Sequence, residues 1–172
     1  MSSMFSNIIA DVACFGSGKI SARVIVRGLL SQGFQAIIVY RFFHWFRMKN
    51  IPSQPVRFVV ERFIEITTGI SIPAECEIGK GLRIHHFGGI IMHPSVKIGD
   101  NCTIYHGVTI GDSGGYGRAA SIGNNVMIGA GAKIIGEITI GDNCKIGANA
   151  VVSRDMNANS VACVAKCDIY AI

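Results

Sequence analysis

The sequence predicts a mainly β protein, a left-handed parallel β-helix of six-residue repeats with an N-terminal α-helical extension. The first observation is a strict period. From Ile98 to Val152 an aliphatic residue recurs at every sixth position, and only the step at Tyr116 misses. Neither the helical period of about 3.6 nor the strand period of about 2 produces this pattern. A coil with three short flat sides, one repeat to a side, does produce it.

The second observation is the set of residues that surrounds each aliphatic position. A glycine usually follows directly and a small or aliphatic residue follows four positions later, so the repeat is aliphatic-Gly-x-x-small-x. We expect the aliphatic and small residues to point into a narrow core, and glycine to permit the sharp corner between two sides. The predicted inward small residues are Cys102, Val108, Val126, Ala132, Ile138, Cys144 and Ala150.

The repeat is interrupted twice. Two extra residues enter between Ile84 and Met92, within the stretch IHHFGGII. The second interruption, 111–121 (GDSGGYGRAAS), lacks an inward aliphatic residue and is predicted to be a loop that leaves the coil. Functional residues usually lie at such irregularities in an otherwise regular repeat.

The chain before the repeat is predicted to be helical. Apolar residues at helical spacing predict helices over 21–32, 34–49 and 56–68, with a break at Gly33 and a C-cap at Gly69. The predicted organisation is an α-helical region over 1–70, a left-handed parallel β-helix domain over 71–160 with the loop 111–121, and a C-terminal tail over 161–172.

Composition and charge narrow the functions that the chain can have. The net charge of +5 comes entirely from residues 1–70, and the β-helix half is neutral, so nucleic acid is a poor partner. Six cysteines without a paired framework, and a first segment that makes a poor signal peptide, predict a reducing, cytoplasmic location. Cys163 and Cys167 are a weak metal motif without a partner pair, so no metal is expected.

The apolar segment 34–46 is too short to span a membrane. Basic residues flank apolar side chains in this region, namely Arg23, Arg27, Arg41 and Arg47. Two interpretations remain: amphipathic helices that pack against the rest of the protein, and peripheral contact with the inner face of a membrane.

Histidines gather at the first interruption and beyond it. Four of the five lie between residues 85 and 106, and His86 occupies the two-residue bulge. A neutral imidazole, with a pKa near 6.5, is suited to remove a proton from an alcohol at neutral pH. The sequence therefore predicts His86 as a general base, whereas His93 is interpreted as an ordinary surface residue.

The stretch from TGISIPAECEIGKGLRIHHFGG to IGDNCKIGANAVV, preceded by YRFFHWF, resembles the serine acetyltransferase family over most of residues 34–166. The resemblance implies acetyl-CoA as the acetyl donor, homotrimers with sites between subunits, and pairing of trimers into hexamers as an open alternative. It implies His86 as the catalytic residue. The coenzyme-binding positions that it implies are Gly111, Ala130, Lys145, Ala148 and Lys166.

Several positions depart from that family's pattern. The family has Asp where this chain has His85, a histidine where it has Ala119, and a carboxylate where it has Ser71. These departures predict the exopolysaccharide O-acetyltransferase subgroup, with a sugar or polysaccharide precursor as acceptor. The predicted acceptor-binding residues are His85, His106 and Arg118. The alternative is serine O-acetylation for cysteine biosynthesis. A γ-class carbonic anhydrase is disfavoured because its His-x4-His zinc motif is absent.

Overall fold

A computed structural model describes residues 4–16, 20–114 and 117–164. The helices are α1 (Met4–Ala13), a 3-10 turn (Cys14–Gly16), α2 (Ala22–Leu30), α3 (Gln32–Met48) and α4 (Val56–Thr68). The strands are β1 (Ile70–Ser71), β2 (Glu77–Ile78), β3 (Arg83–His85), β4 (Ile90–Met92), β5 (Lys97–Ile98), β6 (Thr103–Tyr105), β7 (Thr109–Gly111), β8 (Ser121–Ile122), β9 (Met127–Ile128), β10 (Lys133–Ile135), β11 (Thr139–Ile140), β12 (Lys145–Ile146), β13 (Val151–Val152) and β14 (Val161–Ala162).

The strands form three parallel sheets that are the sides of one coil, and the predicted left-handed parallel β-helix is confirmed. Side A has the order β1-β4-β7-β10-β13, side B the order β2-β5-β8-β11, and side C the order β3-β6-β9-β12-β14. Each strand pairs with the strand one turn away, so equivalent positions of successive turns stack. Strand β14 lies within the segment 161–172 that was predicted as a tail.

The predicted inward residues form the core, except that Ile138 is half-buried and packs against its edge. The isoleucines at 104, 110, 128, 134, 140 and 146 are fully buried, and so are Cys102 and Cys144 at the small positions. Burial raises the pKa of Cys76 to about 12 and that of Cys102 to about 11. These thiols therefore stay protonated at neutral pH and serve as small apolar side chains.

The glycine of the repeat has a different role from the predicted one. Gly99 does not adopt a positive φ; the left-handed residue of that corner is Asn101, with φ of 58°. A Cβ on Gly99 would lie 2.7 Å from the Gly123 carbonyl carbon of the next turn. Glycine is required at this position because successive turns approach each other closely, whereas asparagine makes the turn.

The asparagines form a ladder along the corner between sides B and C. The side-chain amide of Asn125 donates to Asn143 at 3.2 Å, and that of Asn143 donates to Asn159 at 3.1 Å. All three residues have positive φ, a conformation that asparagine tolerates better than other residues with a side chain. The ladder thus joins equivalent corners of three successive turns of the coil.

The helices pack on the first turn of the coil, with one boundary that differs from the prediction. The break between α2 and α3 lies at Ser31, and the predicted break residue, Gly33, lies inside α3. A Cβ on Gly33 would lie 2.8 Å from the Ile84 Cβ, so this glycine allows α3 to approach β3. The predicted helix over 56–68 has the same bounds in the structure, and Gly69 caps α4 with φ of 66°.

A buried ion pair joins α1, α3 and the coil. The Arg41 Nε donates to Asp11 at 2.9 Å, and both side chains are almost completely buried. The Arg41 guanidinium also donates to the carbonyls of Ile78 and Gly79, at 2.6 and 2.5 Å. Arg41 is therefore unavailable to a membrane surface, and the prediction that grouped it with the flanking arginines is wrong.

Candidate functional site

The bulge between β3 and β4 places His86 outside the repeat. His86 follows the last residue of β3 directly and has φ of 65°, in the left-handed region. Two further residues of the bulge, Gly88 and Gly89, also have positive φ. This backbone path turns the His86 side chain out of the core and leaves it exposed. The predicted consequence of the two-residue insertion is thus present in the structure.

Three histidines lie together at the corner between sides C and A, which we call the histidine corner (segments 86–89, 106–108, 129–132 and 147–150). The rings of His86 and His106 are 5.6 Å apart and perpendicular. The His85 ring stacks on Tyr105 at 4.7 Å with an angle of 9° between the planes. Tyr105 was not singled out in the sequence, although its position one residue before His106 places it beside His85 in the adjoining strand.

Below the histidines, the corner is lined by small residues. The Gly131 N–H donates to the His106 carbonyl at 2.8 Å, and the Asn149 N–H donates to the Ala130 carbonyl at 2.8 Å. His106, Ala130 and Ala148 therefore occupy equivalent places in successive turns. Among the described residues, the backbone N–H groups of Ala130 and Ala148 have no hydrogen-bond acceptor. The corner thus presents a surface without large side chains, with two backbone N–H donors that lie one turn apart and have no acceptor in the described chain.

A lysine beside this corner was also missed. The Lys133 Nζ donates to the Gly107 carbonyl at 2.7 Å and to the Thr109 hydroxyl at 3.0 Å. Lys133 is half-buried on the outward row of side A, so it brings a fixed positive charge close to His106. A lysine at the first position of a repeat strand has no distinguishing sequence signal, because such outward positions are usually polar surface.

The other predicted residues lie elsewhere. Arg118 is exposed in the loop after β7, at the corner between sides A and B, and within one chain it contacts none of the three histidines. Gly111 ends β7, where its carbonyl accepts from the Gly136 N–H at 2.8 Å. Lys145 is exposed on side C. Lys166 lies outside the described residues.

Two residues near the loop have structural roles. Ala119, which stands where the related family has a histidine, is buried, and its N–H donates to the Ser95 hydroxyl at 2.8 Å. His93 hydrogen-bonds the same hydroxyl through Nδ1 at 2.9 Å and lies at the A–B corner, away from the bulge. Among the described residues, no group of three His, Cys, Asp or Glu side chains is placed to hold a metal ion.

The environment of His85 favours its neutral form. Burial, the nearby Arg83 guanidinium and the His86 ring, in that order, lower the pKa of His85 below its ordinary value. A neutral imidazole keeps one nitrogen lone pair, so at neutral pH His85 can accept a hydrogen bond from a charged donor.

We expect Arg83→Gln to raise the pKa of His85 towards its ordinary value, because one of the positive charges near the ring is removed. The His85 ring stays partly buried in this variant, so its pKa should recover only in part. Titration of the His85 ring signals by NMR measures the change, with the exposed residue Arg154 replaced by Gln as the control. An unchanged His85 titration in Arg83→Gln would show that the guanidinium does not act on this ring.

Two family models match the coil. Residues 119–154 match the bacterial transferase hexapeptide (six repeats), and residues 88–112 match the hexapeptide repeat of succinyl-transferase. Together the two matches cover most of the coil from residue 88 to residue 154, while His85, His86 and residues 113–118 lie outside them. The fold and the site therefore define the class as a hexapeptide-repeat transferase.

Relatives define the family within that class. A serine acetyltransferase of Helicobacter pylori is 40% identical over 146 residues, which covers 80% of this chain and 81% of that protein. A serine acetyltransferase of Synechococcus elongatus is 36% identical over 112 residues. The chain belongs to the serine acetyltransferase family.

Solved structures agree with this assignment. Serine acetyltransferase isoform 3 of Entamoeba histolytica, in complex with cysteine, superposes with a TM-score of 0.85 at 27% identity over 98% of this chain. The Neisseria gonorrhoeae serine acetyltransferase, in complex with serine, superposes with a TM-score of 0.82 at 30% identity over 92% of this chain. This chain spans 45% of the Synechococcus protein and 61% of the Entamoeba chain.

These relatives correct the predicted acceptor. The sequence departures at His85, Ala119 and Ser71 were interpreted as marks of a polysaccharide O-acetyltransferase, with a sugar as acceptor. The relatives and structural neighbours are serine acetyltransferases, so that assignment is wrong and the alternative is the better one.

Proposed function

We propose that this protein is a serine O-acetyltransferase, which transfers the acetyl group of acetyl-CoA to the hydroxyl of L-serine. The observation that supports the proposal most strongly is the exposed His86, held in a left-handed bulge above a corner of small residues. It occurs in a chain that is 40% identical to a serine acetyltransferase over 81% of that protein.

The small residues of the histidine corner are suited to bind the pantetheine arm of coenzyme A. The free N–H groups of Ala130 and Ala148 can donate to carbonyl groups of an extended pantetheine chain that runs along the corner. The exposed Lys145 on side C is available to the coenzyme's phosphates. We also assign Lys166 to the coenzyme on the resemblance alone.

In the proposed reaction, the His86 imidazole removes the proton from the serine hydroxyl while that oxygen attacks the thioester carbonyl carbon. The new C–O bond forms and the C–S bond breaks. The protonated His86 then gives its proton to the departing thiolate, so the base is regenerated and no acyl-enzyme is required. Backbone N–H groups at the bulge are suited to stabilise the oxyanion that develops on the carbonyl.

His85 and His106 are proposed to hold the acceptor beside His86. Neutral His85 can accept a hydrogen bond from the serine ammonium, a role for which a negative charge is not essential. Arg118 lies at a different corner, so it reaches the site only from another copy of the chain. We therefore propose a trimer in which the loop 111–121 of one copy adjoins the histidine corner of the next.

A thiol-release assay with acetyl-CoA tests the proposed acceptor. We expect free thiol to appear on addition of L-serine, together with O-acetylserine detected by mass spectrometry. L-alanine is the matched control because it lacks only the hydroxyl. Thiol release that is no faster with L-serine than with L-alanine would contradict the proposed function.

A further inference from the structure

Helix α2 presents an apolar face that nothing in the described chain covers. The helix is short, and only one face of it packs inward, through Gly28 against Phe34 and Val24 against Gly16. The opposite face carries apolar side chains that are between two-fifths and three-quarters exposed. They are Ile25 (41%), Val26 (56%), Leu29 (51%) and Leu30 (76%).

The charges on α2 are of one sign, because the helix contains Arg23 and Arg27 and no acidic residue. In the sequence, no acidic residue occurs between Asp11 and Glu61. Arg23 and Arg27 are one helical turn apart on α2, both are exposed, and neither has an acidic partner among the described residues.

Helix α4 provides an informative contrast. It also exposes apolar residues, including Phe63 at 63% and Ile66 at 75%. Its arginines, however, are paired with carboxylates: Arg57 with Glu61 and Glu75, and Arg62 with Glu65. The α4 surface therefore has no excess charge, whereas α2 combines an exposed apolar face with two arginines that form no ion pair among the described residues.

We propose that α2 docks on an anionic lipid surface. Val26, Leu29 and Leu30 enter the boundary between headgroups and acyl chains, and Arg23 and Arg27 lie at the level of the anionic headgroups. An amphipathic helix with arginines beside its apolar face binds membranes through these two contributions together. Both arginines belong to the group that the sequence suggested for membrane contact, whereas Arg41 is excluded by its burial.

The geometry indicates surface contact and not a span. In the described residues, no single helix is long and apolar enough to cross a membrane. Together, α2 and α3 have the length and composition of a membrane span, but a bend of 87° separates them. Phe34, Ile37 and Tyr40 of α3 are fully buried in the protein core, so α3 cannot form part of a membrane span. The exposed apolar face of α2 can still lie on a membrane surface.

The first turn of α3, which follows α2, contacts the strand that leads to the bulge: Gly33 packs on Ile84, two residues before His86. The proposal does not depend on the proposed function, because its test measures vesicle binding and not acetyl transfer.

Co-sedimentation of the full chain with vesicles tests the proposal. We expect binding to phosphatidylglycerol–phosphatidylcholine vesicles, little binding to pure phosphatidylcholine vesicles, and weaker binding as salt rises. Arg23→Gln with Arg27→Gln should lower the partition coefficient by at least about tenfold. Val26→Ser with Leu30→Ser should lower it similarly.

Matched controls come from the coil. Arg154→Gln removes an exposed charge, and Val161→Ser removes an exposed apolar side chain, both far from α2 in the chain. Each should leave binding within about twofold, since neither touches the α2 face. Circular dichroism checks that the α2 variants remain folded.

Two results would overturn the proposal. One is a failure of the wild-type chain to bind anionic vesicles at low salt. The other is a change in sedimentation of the Val26→Ser, Leu30→Ser variant without vesicles, relative to wild type. That result would show that a second copy of the chain covers the α2 face.

Discussion

We expect His86→Asn to lower kcat/KM for acetyl transfer to L-serine by at least about a hundredfold, because a general base is lost. Asparagine is a better replacement than alanine because His86 has φ of 65°. Asparagine tolerates this left-handed conformation better than alanine does. The backbone of the bulge should therefore persist while the proton acceptor is removed. Thiol release from acetyl-CoA measures the loss.

His44→Asn is the matched control for this prediction. His44 lies on α3 with Nδ1 hydrogen-bonded to the Ala74 carbonyl at 2.9 Å, so it takes no part in the histidine corner or in the loop 111–121. Its replacement should leave kcat/KM within a few-fold of wild type. Activity of His86→Asn within the same range, in a protein that melts at the wild-type temperature, would exclude His86 as the base.

The coil was predictable because its signal is repeated many times. Each inward isoleucine satisfies the same steric requirement, so a six-residue period appears directly in the sequence. The bulge at His86 was predictable for the same reason, since an insertion into a strict repeat is easily located. The glycine of the repeat was found but misinterpreted. Its role is the close approach of Gly99 to Gly123 in the next turn, which a single repeat does not display.

The network around Arg41 could not be predicted from the sequence. Asp11 lies thirty residues away on α1. The ion pair forms because folding brings α1 and α3 together on the first turn of the coil, where the Leu82 N–H also donates to Asp11. In the sequence, Arg41 interrupts an apolar segment and is typical of an exposed charge. Burial reverses that interpretation, because both charges are satisfied inside the protein.

The acceptor was predicted wrongly for a physical reason. The replacement of a carboxylate by His85 was interpreted as the loss of a partner for the serine ammonium. Burial and the charges around His85 keep it neutral, and a neutral imidazole still accepts a hydrogen bond. The residue type alone did not reveal the protonation state of His85, on which the predicted acceptor depended.

The Arg41–Asp11 pair is the basis of the largest stability effect that we expect. Asp11 accepts two hydrogen bonds from the Arg41 guanidinium and one from the Leu82 N–H, at 3.2 Å or less. Asp11→Ala would remove these acceptors and leave the Arg41 charge buried with backbone carbonyls as its only partners. An unpaired buried charge of this kind costs roughly 3–5 kcal/mol of unfolding free energy. Urea denaturation followed by circular dichroism measures the change.

A second substitution separates the cost of the unpaired charge from the loss of contacts. Asp11→Ala combined with Arg41→Met removes both charges and keeps an apolar side chain of similar length, so part of the lost stability should return. Arg62→Ala, which breaks the exposed pair with Glu65, is the control and should cost no more than about 1 kcal/mol. If Asp11→Ala destabilised the protein no more than Arg62→Ala does, the pair would not hold α1 and α3 to the coil. A double variant less stable than Asp11→Ala alone would instead show that the Arg41 bonds to the Ile78 and Gly79 carbonyls stabilise the junction without Asp11.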